Sequence, residues 1–215
     1  LLARVEDLRG ISHLTVARSA NGTDRWSVDA QPLLAPAADV ASEEWGFEDP
    51  RAVWVAELGR WVITCTAYGP PGPAVYLATT KDFKSVERRG IIRQPDDKNA
   101  ALLPYRIEGR WVLFHRPKTQ YEGGHGEIAL SRSNDLVNWS AREKVLGPRE
   151  GAWWDATRIG LGPPPLRTED GWLLVYHGVK RMVGGEIYRV GLALLDLKEP
   201  TRVISRLSSW VLGLS

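Results

Sequence analysis

The apolar positions of this chain come in short runs rather than at helical spacing. The runs are rich in Val, Ile, Trp and Tyr and are bounded by Gly, Pro, Asp or Asn, as in Trp61–Thr66, Trp111–Phe114 and Trp172–Tyr176. Short runs of β-branched and aromatic residues between turn formers are typical of antiparallel strands. The pattern therefore predicts an all-β fold built from many short strands.

A repeat accompanies these runs. Its marker is a glycine shortly before a strand that begins with tryptophan, as in Gly59-Arg60-Trp61, Gly109-Arg110-Trp111 and Gly171-Trp172. Twelve residues before the first two tryptophans lie Asp49 and Asn99, and Asp155 holds the same place in the third copy, displaced by the insert 160–166. Each copy contains three or four strands over about 50 residues, which is the size of a propeller blade.

The repeat predicts a single, incomplete propeller domain. We expect a partial blade over 1–41, blades at about 42–92, 93–147 and 148–200, and the start of a further blade over 201–215. A β-sandwich with chance similarity is the alternative, and the recurring twelve-residue offset disfavours it. The first strand of each blade lines the central channel of a propeller, so we expect the polar residues that open these strands to meet there.

Composition narrows the class of protein. There are 28 Lys and Arg residues against 26 Asp and Glu, a formal charge of +2, which argues against nucleic acid as a partner. One cysteine excludes a disulfide framework, and the four histidines lack zinc-site spacing, so we predict no metal. The chain has no apolar run of about 20 residues and no signal peptide. We expect a cytoplasmic protein without a membrane partner, and a homo-oligomer is compatible with this.

Charged and hydrogen-bonding residues recur at strand ends. Glu48 and Asp49 are adjacent, so in a regular strand only one of them faces the channel, whereas Asp49 and Arg51 share a face. An arginine favours the ionised form of a neighbouring carboxyl. One blade further on, Lys98 is suited to bind an anion. A salt-bridged turn and a solvated lysine are the structural alternatives.

Five segments, taken in order, resemble glycoside hydrolase family 130, which contains β-mannoside phosphorylases and some β-1,2-mannosidases. They are Gly46–Arg51, Lys98–Pro104, His115–Pro117, Gly171–Val179 and Tyr188–Gly191. The resemblance covers almost the whole chain. It implies a five-bladed β-propeller, present here as about four blades, without the fifth blade and the opening strand of the first.

The resemblance also implies roles for matching positions. Asp49 would be the catalytic acid, protonating the leaving oxygen through a sugar hydroxyl. Phosphate would attack the anomeric carbon with inversion and give α-mannose 1-phosphate, so a β-mannoside oligosaccharide and phosphate are the expected partners and no cofactor is needed. The remaining site residues are, for the substrate, Arg4, Glu48, Arg51, Asn99 and Asp155, and for phosphate, Lys98, Arg116 and His177.

Two other functions stay open. An inverting β-1,2-mannosidase needs a second carboxylate that activates water, and Glu122, Glu127 and Glu186 are candidates in predicted loops. The basic residues Lys98, Arg116 and His177 favour phosphate over this alternative. A non-catalytic carbohydrate-binding propeller is the second alternative, and the presence of Asp49 together with these basic residues argues against it.

Overall fold

A computed structural model describes residues 1–118 and 126–213, and it confirms the predicted all-β fold. Regular structure there consists of strands and two short 3-10 helices, Ala41–Glu43 and Ala56–Leu58. The strands are β1 (Leu2–Glu6), β2 (Ser12–Arg18), β3 (Ser27–Val28), β4 (Gly46–Val55), β5 (Arg60–Tyr68), β6 (Ala74–Thr80), β7 (Glu87–Arg93), β8 (Asp97–Leu102), β9 (Trp111–Pro117), β10 (Ile128–Ser133), β11 (Glu143–Leu146), β12 (Arg158–Leu161), β13 (Leu166–Arg167), β14 (Trp172–Met182), β15 (Gly185–Leu195), β16 (Val203–Arg206) and β17 (Leu212–Gly213).

The strands form two compact units, Leu1–Lys98 and Asn99–Ser215. In the first, β1 pairs with β2, and β4 to β7 form an antiparallel meander. A single parallel pairing of Ser12 with Gly46 joins these parts into one sheet. Gly46 has a φ of 95°, and a Cβ there would lie 1.8 Å from the Ser12 carbonyl oxygen, so this junction requires glycine.

The second unit contains two sheets. One has the strand order β11-β10-β9-β8, and the other has the order β12-β14-β15-β16, with β13 on β14 and β17 on β15. The buried core of this unit includes Phe114, Trp172 and Tyr176, each at most 1% exposed. Burial of a large apolar side chain contributes about 1.5–3 kcal/mol, so these residues anchor the strands that carry the candidate site.

The repeat recurs in detail in the folded chain. Trp61, Trp111 and Trp172 stand at the beginning of β5, β9 and β14. After the next strand, the hydroxyl of Thr80 accepts the N–H of Phe83 at 2.9 Å, and Ser133 accepts that of Leu136 at the same distance. The two donor residues, Phe83 with a φ of 56° and Leu136 with a φ of 66°, occupy the same turn position. The copies therefore share turn chemistry as well as strand order.

The last described strands join the sheet of β15. β16 pairs with β15 through Leu195 and Val203, and β17 pairs with the same strand. The carboxylate of Asp196 accepts the N–H groups of Lys198 and Glu199, and this turn sends the chain back along β15. The blade boundaries, the further blade expected over 201–215 and the number of blades stay predictions, and residues 214–215 lie outside the described ranges. Across the described ranges, no helix has the length and apolar character needed to span a membrane.

Candidate active site

Asp49 lies in a break of the β4–β5 ladder. The ladder pairs Glu48 with Thr66 and then continues at Arg51, so Asp49 and Pro50 together stand opposite one residue of β5. This is a β-bulge, which bends a strand and redirects its side chains. Glu48 and Arg51, not Asp49 and Arg51, therefore share a face, and the regular alternation expected from the sequence is wrong at this point. Arg51 Nη1 donates to the main-chain oxygen of Asp49 at 2.8 Å.

Asp49 and Asn99 share an uncommon backbone conformation. Their φ angles are 51° and 52°, in the left-handed region. Few residues other than glycine adopt it, although Asp and Asn are the side chains that tolerate it best. Such conformations concentrate at functional sites, where they aim a side chain that a regular strand could not aim. Equivalent positions of two repeats thus use the same local device.

In the first unit, Glu48 lies between two cations. Arg4 Nη2 is 3.3 Å from Oε1, and Lys98 Nζ is 3.9 Å from Oε2. Arg4 is further oriented by a 2.9 Å hydrogen bond from its Nε to the Ser12 hydroxyl. The structure thus groups two residues predicted to bind the substrate with one predicted to bind phosphate. All three side chains keep some exposure, and partly exposed ion pairs of this kind contribute at most about 1 kcal/mol.

In the second unit, His177 and Asn99 meet over a glycine. Gly160 of β12 pairs with His177 of β14. A Cβ on Gly160 would lie 2.6 Å from His177 Cε1, 2.7 Å from its Nε2 and 3.0 Å from Asn99 Oδ1. The absence of a side chain at this position is therefore what allows the imidazole and the amide to approach the strand. Two of the predicted site residues are brought together here.

Arg116 approaches the same strand from the side of Gly126. A Cβ on Gly126 would lie 3.1 Å from Arg116 Cδ and 3.5 Å from both Arg116 Nη1 and Arg158 Cβ. The main chain of Gly126 is held against β12, since Ile159 donates its N–H to the Gly126 oxygen at 2.9 Å. Arg116 is 7% exposed. The segment 158–160 therefore lies beside Arg116, His177 and Asn99.

Arg158 belongs to this cluster and was missed by the sequence analysis. It lies in the strand predicted to open the third copy, two residues before Gly160, so strand alternation gives both the same face. Its guanidinium donates to Tyr188 Oη at 2.7 Å and forms a two-pronged ion pair with Glu186. The Tyr188 ring centroid lies 6.0 Å from that of His177. We define the phosphate-side cluster as Asn99, Arg116, Arg158, His177 and Tyr188.

The carboxyl group of Glu186 has a lowered pKa. Its hydrogen bond to Arg158, with the positive charges of Arg158 and Arg181, lowers its pKa to about 2. The same pair raises the pKa of the Arg158 guanidinium. A general base acts best with a pKa near the working pH, so Glu186 is poorly suited to activate water. Glu127, the next candidate, pairs with Lys144 at 3.2 Å, and Glu122 lies outside the described residues.

Asp155 occupies a different position from the one predicted. It lies in a turn before β12, because that strand begins only at Arg158, and its side chain is fully buried. Arg149 Nε donates to Oδ1 at 2.8 Å, while Tyr176 Oη and Arg206 Nη2 donate to Oδ2 at 3.0 and 2.7 Å. Burial would raise the pKa of this carboxyl, but these partners outweigh it and hold the pKa below its usual value. The geometry favours a structural role, and sugar binding by Asp155 stays a prediction without support from it.

His115 is also integrated into the sheet. It is fully buried on β9, and its Nε2 lies 3.1 Å from the Ser131 hydroxyl of β10. Within the described part of the chain, no three His, Cys, Asp or Glu side chains are grouped so as to hold a metal ion. The first unit thus offers the carboxylates of Glu48 and Asp49, and the second offers a cluster of cations paired with a carboxylate.

Comparison with known proteins assigns this chain to a family. The sequence model described as β-1,4-mannooligosaccharide phosphorylase, that of glycoside hydrolase family 130, matches residues 4–213. The chain belongs to glycoside hydrolase family 130. Solved members of this family are β-propellers, so the predicted fold class is confirmed.

Family 130 relatives match nearly the whole chain. The β-1,4-mannooligosaccharide phosphorylase of Ruminococcus albus is 32% identical over 214 residues, which is 98% of this chain and 62% of that enzyme. The β-1,2-mannobiose phosphorylase of Listeria innocua, solved in complex with β-1,2-mannobiose, superposes with a TM-score of 0.85 at 33% identity, covering 94% of this chain and 54% of that one. The chain thus spans little more than half the length of these relatives.

A further solved structure brings hydrolysis into the comparison. Its description states that the family 130 mannoside phosphorylases include glycoside hydrolases that target β-1,2-mannosidic linkages in Candida mannan. It superposes with a TM-score of 0.84 at 25% identity and covers 99% of this chain and 67% of that one. Membership of the family therefore includes both phosphorolysis and hydrolysis, and the site must discriminate between them.

Proposed function

We propose that this protein cleaves β-mannosides with inorganic phosphate and releases α-mannose 1-phosphate with inversion. The observation that carries this proposal is the phosphate-side cluster, in which Arg116, Arg158 and His177 converge on β12. Arginine presents planar, paired donors that match phosphate oxygens. Three potentially cationic groups around one strand suit a dianionic nucleophile better than a neutral water molecule.

Roles follow for the other residues. Asp49 is the acid that protonates the leaving oxygen, relayed through a hydroxyl of the sugar. Arg4, Glu48, Arg51 and Asn99 bind sugar hydroxyls, and Lys98 is assigned to phosphate, as are Arg116, Arg158 and His177. Support comes from the bulge that redirects Asp49, from the Arg4–Glu48–Lys98 group, and from the phosphorylase activities named for relatives that match at 32–33% identity.

The carboxylates argue in the same direction. Hydrolysis with inversion requires a carboxylate that takes a proton from water. Glu186 is bound by Arg158 and has a pKa of about 2, and Glu127 is paired with Lys144. Neither is placed to act as an efficient base while these pairs persist, which favours phosphate as the nucleophile.

The test is turnover of defined disaccharides. The purified protein is incubated with β-1,4-mannobiose or β-1,2-mannobiose, with and without phosphate, and the products are followed by ³¹P NMR and by assay of free mannose. We expect α-mannose 1-phosphate to form only when phosphate is present. Free mannose released without phosphate would make the protein a hydrolase, and saturable sugar binding without either product would make it a binding module. The disaccharide that reacts faster identifies the linkage.

A further inference from the structure

Glu186 occupies the donors of Arg158 that an anion would use. Arg158 Nη1 lies 2.6 Å from Glu186 Oε1, and the second nitrogen contacts Oε2, so the carboxylate engages the guanidinium through both prongs. A planar carboxylate held in this way presents oxygen atoms to the same pair of N–H groups that a phosphate would engage. The side-chain exposure is 25% for Arg158 and 30% for Glu186, so solvent and solutes reach the pair.

The pair lies at an edge of the phosphate-side cluster. Arg158 stands beside Arg116 at Gly126, and its Nη2 donates to Tyr188, whose ring faces His177. Glu186 is therefore a negative charge built into a cationic site. Arg181 also lies near it, with Nη2 3.6 Å from Oε1.

The location of Glu186 suits a displaceable group. It is the second residue of β15, and the β14–β15 ladder extends beyond it to Met182 and Gly185. At this end of the hairpin the side chains of Met182 and Val183 are exposed. Exposed hydrogen bonds and few buried apolar contacts characterise the parts of a protein that open locally at low cost. Glu186 can thus leave Arg158 without disturbance of the buried core.

We propose that Glu186 is an internal competitor of phosphate, which the incoming phosphate displaces from Arg158. The inference rests on the proposed function, because it assigns Arg158 to the phosphate site. It predicts that Glu186 lowers phosphate affinity and that this cost falls when the negative charge is removed. Competition persists at neutral pH, since the low pKa of Glu186 keeps the carboxylate ionised.

Glu186→Gln tests the proposal, because glutamine keeps the shape and one acceptor oxygen but not the charge. Binding of inorganic phosphate alone is measured by isothermal titration calorimetry on the wild type and the variant. We expect the Kd for phosphate to fall by about fivefold, the equivalent of about 1 kcal/mol. The expected magnitude is that of a well-formed, partly exposed ion pair. In turnover, the KM for phosphate should fall in parallel while the KM for the mannoside stays unchanged.

The matched control is Glu199→Gln. Glu199 forms a comparable pair with Arg132, at 2.8 Å between Nη2 and Oε1, outside the phosphate-side cluster. The Glu199→Gln variant should bind phosphate with the Kd of the wild type. An unchanged or increased Kd in Glu186→Gln, with a wild type that does bind phosphate, overturns the inference and leaves the proposed function standing.

The remaining outcomes separate the two proposals. Phosphate binding by Glu186→Gln but not by the wild type supports the competition while contradicting phosphorolysis by the native protein. The absence of binding in both overturns the two proposals together. Thermal denaturation of each variant shows whether the protein remains folded. A second variant, Glu186→Ala, should also bind phosphate more tightly than the wild type when it is folded. Weaker binding by folded Glu186→Ala counts against the inference.

Discussion

Replacement of Gly160 by alanine isolates the effect of side-chain alignment on the reaction. The added Cβ would lie 2.6 Å from His177 Cε1 and 3.0 Å from Asn99 Oδ1. Comfortable carbon–carbon contacts are about 3.5–4.0 Å, so the imidazole has to move by roughly 1 Å. The strand itself tolerates the change, because alanine in an extended segment is more favourable than glycine by roughly 0.5–1 kcal/mol. The substitution therefore disturbs the site more than the fold.

The size of the effect follows from the displacement. A misplacement of about 1 Å can reduce a reaction rate by about 10²-fold. We expect kcat/KM for phosphorolysis by Gly160→Ala to fall by about 10- to 100-fold, which corresponds to roughly 1.4–2.7 kcal/mol of transition-state stabilisation. The loss should include a higher KM for phosphate, since His177 is assigned to that ligand. The melting temperature should remain close to that of the wild type.

The assay is the initial rate of α-mannose 1-phosphate formation, with thermal denaturation of each variant alongside. Gly184→Ala is the matched control: it lies between β14 and β15, and no heavy atom outside its neighbours lies within 4 Å of the added Cβ. A folded Gly160→Ala protein with wild-type kinetics would refute the reasoning. So would an equal loss in Gly184→Ala, because the effect would then not depend on contact with His177.

Three further expectations concern other residues. Asp49→Asn should abolish phosphorolysis while denaturant-induced unfolding stays unchanged; turnover at the wild-type rate removes Asp49 from the mechanism. Asp155→Ala should lower the free energy of unfolding, measured with urea, by about 3–5 kcal/mol, because it leaves two partly buried arginines without their carboxylate. The stability of the wild type should fall as the pH drops below about 4, since the folded-state pKa of Asp155 is depressed. An Asp155→Ala protein as stable as the wild type contradicts this account. The thiol of Cys65 is buried, which raises its pKa, so it should react with a thiol reagent only after denaturation, and rapid labelling of the native protein would show that the β5–β6 region opens.

Local patterns were sufficient to predict the strands and the repeat. Trp61, Trp111 and Trp172 are the first or second residues of β5, β9 and β14. They are buried or half-buried in sheets, and their spacing predicted which strands are equivalent. The bulge at Asp49 carried a signal that the sequence analysis did not use. Pro50 has no amide hydrogen, so it cannot take part fully in a ladder and often marks such an irregularity.

Local patterns could not indicate contacts between residues far apart in the chain. Asp155 is held by Tyr176 and by Arg206, which lies 51 residues further on, and no local pattern connects them. Arg158 and Glu186 are 28 residues apart and meet only because β12 and β15 flank β14. Alternation could assign a face to each of these residues, but the partner depends on the pairing register, which the sequence alone did not determine.

The left-handed backbone at Asp49 and Asn99 has a consequence for attempts to stabilise the protein. Glycine adopts this conformation without the steric cost that a Cβ carries. Asp49→Gly and Asn99→Gly would thus relieve local strain, yet they would remove the carboxylate and the amide assigned to the reaction. A selection for thermal stability alone would reward these two replacements and eliminate activity, as expected where function is maintained against stability. Directed evolution of this protein should therefore hold both positions fixed or select for turnover in every round.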